Sequence, residues 1–110
     1  MKLFFARHAD LVVTTSATAS SNAISGFNDA YGLGIQAPSS MTSTSIWVEV
    51  AIPTSSDAAF SRLQSGGSDI SLSSAQALVI STVPYSQLRL TTTSTEATAR
   101  TFTVAKVIAV

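Results

Sequence analysis

The chain has 110 residues, enough for one domain with one core, and no cysteine, which excludes a disulfide framework and a thiolate metal site. Only 11% of its residues are charged, against about 25% in an ordinary soluble domain. Six basic residues cancel six acidic ones, which argues against nucleic acid as a partner, since that needs clustered Lys and Arg, and leaves little repulsion to keep copies apart.

Ser and Thr take the place of charge, with 33 of the 110 residues. Thr favours strands and Ser favours turns, so the composition suits a β-rich chain. Residues 1–9 read as an N-terminal arm or lead-in to a single β-sandwich domain over 10–110. Their apolar run, Leu3 to Ala6 before Arg7, is shorter than the ~7–15 residues of a signal-peptide core. No run approaches the ~20 apolar residues of a membrane helix, so a soluble chain without an export signal is expected. Phe4 and Phe5 are adjacent, and alternation lets only one of them face a given core. The other is either half-exposed or docked on a neighbouring subunit.

Short strands follow in order. Residues 10–15 are β-branched, and 22–25 could form another strand. Residues 31–37 place Tyr31, Leu33, Ile35 and Ala37 on one side, with Gly32, Gly34 and Gln36 on the other. A glycine inside a strand weakens it unless a backbone or a bulky ring must come close. The firmest stretch is 45–52, where Ile46, Val48, Val50 and Ile52 alternate with Ser45, Trp47, Glu49 and Ala51, and Pro53 closes it. A helical turn is possible at 57–60, but Phe60 to Leu63 reads better as a strand. Gln64-Ser65-Gly66-Gly67-Ser68 is a hairpin turn, because Gly-Gly accepts positive φ. Residues 69–72 form the return strand, 77–80 and 87–92 two more, and 100–110 the last, with Phe102 and Val104 inward and Thr101, Thr103 and Ala105 outward. Eight or nine short strands about ten residues apart, without a helix, predict an all-β antiparallel two-sheet sandwich, best matched by a jelly roll.

No stretch carries recognisable chemistry. His8 is the only histidine and lacks a carboxylate and serine spaced to make it catalytic. Glu49 lies beside Trp47 on the outward side of the central strand, where it reads as a solvated charge or as half of a sugar-stacking patch. The other acids, Asp10, Asp29, Asp57, Asp69 and Glu96, fall in or beside loops. Gly32-Leu33-Gly34 has the first two glycines of a dinucleotide loop without the third. Calcium and zinc loops are absent as well. Neither catalytic residues, cofactor-binding residues nor metal ligands are assigned. Arg62, Arg89 and Arg100 read as solvated side chains on strands, with the option of pairing across a subunit contact.

Certain stretches stand in a particular order: Gly34-Ile35-Gln36-Ala37-Pro38, then the central strand with Trp47, Tyr85-Ser86-Gln87-Leu88-Arg89-Leu90, and Arg100-Thr101-Phe102-Thr103-Val104. In that order and spacing, over residues 30–107, the chain resembles a family of small structural proteins of tailed bacteriophages and prophages. The resemblance implies a non-enzymatic head decoration (cement) protein: a jelly-roll subunit, often a homotrimer, bound outside the major capsid protein. It would sit on the outer surface of the virion head, assembled in the bacterial host cytoplasm. Two departures are visible: Ser55 to Phe60 lacks the glycine of the family's turn, and Phe4-Phe5-Ala6-Arg7 has no counterpart. The contacts expected with other subunits or with the capsid are Phe4, Phe5, Arg7, Trp47, Arg62 and Arg89. The alternative is a carbohydrate-binding or host-adhesion module of a phage tail or fibre, with Trp47, Tyr31 and Tyr85 stacking on the glycan.

Overall fold

In the computed structural model the described residues are 2–14, 20–27, 29–43, 45–51, 60–80, 87–92 and 95–109. Among them are ten strands and no helix: β1 (Leu3–Val13), β2 (Gly32–Gln36), β3 (Ile46–Ala51), β4 (Phe60–Arg62), β5 (Gln64–Ser65), β6 (Ser68–Asp69), β7 (Ser71–Leu72), β8 (Ala77–Ile80), β9 (Gln87–Thr92) and β10 (Arg100–Ala109). One sheet has the order β1-β10-β2-β8. In the other, β3 pairs with β9 along its whole length and with β4 and β7 on its far side. Every pairing is antiparallel, and isolated bridges Ser20–Thr91 and Ile24–Leu88 lay residues 20–24 along β9. Followed along the chain, β1 pairs with β10, residues 20–24 with β9, β2 with β8, and β3 with β4 and β7. The whole is one antiparallel ribbon whose successive rungs alternate between the two sheets.

The alternation that predicts the strands also builds the core. Leu11, Val13, Leu33, Ile35, Phe102 and Val104 from the first sheet meet Ile46, Val48, Val50, Leu72, Leu88 and Leu90 from the second, all buried in one cluster. Side chains from two inner faces interlock in this way only when each strand keeps its period of two. Truncating one of them, such as Leu90→Ala, would cost about 2–5 kcal/mol.

Two irregularities shape the surface. In β1, Arg7 faces Ala105 and Ala9 faces Val104, so His8 is the extra residue of a bulge. On the far side of β3, the partner strand is interrupted. Leu63 N–H donates to the Val48 carbonyl, Val48 N–H donates to the Ile70 carbonyl, and residues 64–69 leave the sheet as the hairpin β5–β6. Gly66 and Gly67 turn it with φ of +60° and +85°, the pair of positive values that a tight two-residue hairpin requires.

Several expectations change. Residues 3–9 are no separate lead-in, because they continue β1 and pair with the end of β10; a partner about a hundred residues away cannot be read locally. Residues 22–25 hold a single isolated bridge, Ile24 to Leu88, rather than a strand. Tyr31 precedes β2 and is 54% exposed, not part of the inward row, while its N–H donates to the Val107 carbonyl. Ile52, Pro53, residues 57–59 of the expected alternative turn and Tyr85 lie outside the described residues, while Phe60 opens β4.

Candidate docking surface on the outer sheet faces

The two outer faces of the sandwich differ in chemistry. On the outer side of β3, Trp47 and Glu49 look away from the core as expected, but neither is left to solvent. Glu49 lies between Arg89 on β9 and Arg62 on β4. Arg89 Nε donates to Glu49 Oε1 at 2.8 Å, and its guanidinium carbon sits 4.1 Å from the centre of the Phe60 ring. Arg62 lies over Trp47, 4.7 Å from the ring centre, and is held there by Asp69 at 3.1 Å. Hydrogen bonds from Gln64 and then Arg62 lower the Asp69 carboxyl below the usual range. These contacts correct the reading of Glu49, Arg62 and Arg89 as simply solvated: cross-strand pairs of opposite charge and cation–π stacking let the face satisfy itself.

The outer face of β1-β10-β2-β8 has almost no such groups. Register puts Ala105 beside Gly34 and Gly34 beside Val79, with Thr103, Gln36 and Ala77 in the next row. Phe5 leans over Gly34 so closely that a Cβ there would lie 2.9 Å from its ring, the bulky ring that a strand glycine calls for. Phe5, Gly34, Ile35, Gln36, Ala77, Leu78, Val79, Thr103 and Ala105 line an open, apolar depression of about 290 Å³. Phe5 is 58% and Val79 62% exposed, and Leu3, Phe4 and Tyr31 are also exposed. The nearest charges neutralise each other, with Arg7 on Asp10 at 2.9 Å.

Of the expected contact residues, then, Phe5 and Arg7 share one outer face, Phe4 lies on the opposite side of the same strand, and Trp47, Arg62 and Arg89 belong to the other sheet. Val79 and Gly34 were missed as members of this surface. Their signal was only the glycine alternation of β2 and the apolar run of β8.

The remaining polar groups act as fasteners. His8 Nε2 donates to the Ser25 carbonyl at 2.6 Å, and its ring packs against Phe27. Lys106 Nζ reaches Asp29 at 2.8 Å and lowers its carboxyl pKa through that bond. Glu96, expected beside a loop, is 1% exposed. Its two oxygens accept from the N–H groups of Thr42 at 2.8 Å and Ser43 at 2.7 Å, and Arg100 Nε donates to it at 3.0 Å. Burial alone would raise its pKa, but bonds from Ser43, Thr42 and Arg100 outweigh that and hold it at about 2. Arg100 is thus paired within the chain rather than solvated. Among the described residues no group of three or more His, Asp or Glu could hold a metal ion. No described helix is long and apolar enough to cross a membrane. Compared with protein-family models, with curated proteins and with solved structures, the chain matches none.

Proposed function

We propose that this chain is a non-enzymatic structural subunit of a phage virion, a jelly roll that decorates the head by docking on the major capsid protein. The observation that carries the reading is the contrast between the two outer faces. One is paved with internal ion pairs and stacked cations. The other is apolar, nearly uncharged and open around Phe5, Gly34 and Val79. A contiguous exposed apolar patch marks an interaction site more often than chance. The alternation of one ribbon between two sheets is how a jelly roll is wound, in keeping with the resemblance of residues 30–107. A single face of this size gives a modest contact, and many copies on one particle raise the avidity. The glycan reading has less support: the Trp47 ring already carries Arg62, and Tyr31 stands on the other sheet.

Co-sedimentation with empty heads of the phage or prophage that encodes the chain tests this. The chain should pellet with heads, and Val79→Asp should weaken pelleting at least tenfold while circular dichroism stays unchanged. A folded chain that never pellets with heads, or a Val79→Asp variant that pellets as well as the parent, would refute it.

A further inference from the structure

A sheet edge is a row of unpaired backbone donors and acceptors, and a folded chain usually blunts every one. Three of the edges here are blunted. The far side of β3 is broken by the β5–β6 hairpin. The open side of β9 carries residues 20–24. The β8 edge is only four residues long, a recognised form of protection.

The fourth edge, β1, is closed over half its length. Asn22 acts there as a substitute strand: its Oδ1 accepts from Val12 N–H at 2.8 Å and its Nδ2 donates to the Asp10 carbonyl at 3.1 Å. The His8 bulge and the Ser25 carbonyl close the next position. Before the bulge, residues 3–7 have no described partner on the side away from β10. Leu3, Phe4 and Phe5 are exposed along this span, and no Pro or inward charge interrupts it.

We propose that residues 3–7 of β1 pair antiparallel with the same residues of a second copy, about a two-fold axis at Phe4. The bulge and Asn22 limit the free span identically on both copies, so a two-fold pairing uses equal lengths from each. The two-fold and the extent of the free span select the register. With Phe4 facing Phe4 of the second copy, Leu3 faces Phe5, and Lys2 faces Ala6. A register shifted by one residue would set outer-face positions of one copy against inner-face positions of the other, because a one-residue slip flips every side chain, and no two-fold relates such a pair. The chosen register also lays Leu3 against an aromatic ring on the outer face, a favourable cross-strand pair. Two sheets of four become one sheet of eight, with the hydrophobic ribbon at its centre. This pairing does not rest on the capsid reading, since it concerns the edge of β1 rather than its outer face.

The absence of native cysteine makes the test direct. Facing residues in an antiparallel pair have Cα atoms about 4.5–5.5 Å apart, inside the range a disulfide spans. Sedimentation equilibrium of the full chain should give twice the 11.4 kDa chain mass. Under diamide, Phe4→Cys should form a covalent dimer, and Val79→Cys, on the outer face, should not. An equimolar mixture of Lys2→Cys and Ala6→Cys, neither of which belongs to the core cluster, should cross-link between the two variants and covers the case in which Phe4→Cys fails to fold. A chain that stays monomeric up to ~100 μM, a trimeric mass, or cross-linking of Val79→Cys in preference to the β1 variants would overturn the proposal. Failure to pellet with heads, by contrast, leaves it untouched.

Discussion

Replacing Glu96 by Gln tests the most strongly perturbed group among the described residues. The carboxylate is buried and accepts from Thr42 N–H, Ser43 N–H and Arg100 Nε, so the substitution removes a charge whose partners all remain. Its pKa lies at about 2 instead of 4.5, and one pH unit corresponds to about 1.4 kcal/mol, so the charged form contributes roughly 3 kcal/mol to folding. The same size is expected when one partner of a buried ion pair is deleted, about 3–5 kcal/mol. Because the folded value lies below the unfolded one, the contribution is complete above pH 4.5 and fades as the pH falls towards 2. Urea titrations of parent and Glu96→Gln, followed by tryptophan fluorescence, should differ by roughly 3 kcal/mol at pH 7, and the difference should shrink through that window. Other acids titrate alike in both proteins and cancel. A difference under about 1 kcal/mol at neutral pH, or parallel profiles down to the acid end, would show that Glu96 does not fasten these loops.

Two further substitutions probe the outer faces. Arg62→Ala uncovers the only tryptophan, so the emission of Trp47 should shift to the red and its quenching by acrylamide should rise, with a stability loss of about 0.5–1 kcal/mol; unchanged emission would mean that the guanidinium does not shield the ring. Gly34→Ala pushes against Phe5, and because that ring is exposed and can swing away, the cost should be about 1 kcal/mol or less. A cycle with Phe5→Ala should show coupling of at least ~0.5 kcal/mol, and strict additivity would separate the two residues.

Much of the fold is written in local alternation. Ile46, Val48 and Val50, Leu88 and Leu90, and Phe102 and Val104 repeat every second residue and are all buried, because a strand has only two sides and one of them must face the core. Gly66-Gly67 announces its hairpin for a similar reason: few other residues adopt two consecutive positive φ values. Gly34 announces a close approach, though not which ring makes it.

Partners far apart in sequence left no such mark. Leu3 pairs with Ala109, Glu96 with Thr42 and Ser43, and Arg62 with Trp47, and each pair exists only once two distant segments share a face. Trp47 and Glu49 follow the same division. Their outward direction comes from the period of the strand, whereas their cover comes from β4 and β9, which register alone brings alongside. Sequence therefore determined the side on which each residue of a strand stands, since that is backbone geometry. Tertiary structure decided what stands next to it, and so which sheet face was satisfied internally and which was left apolar and open.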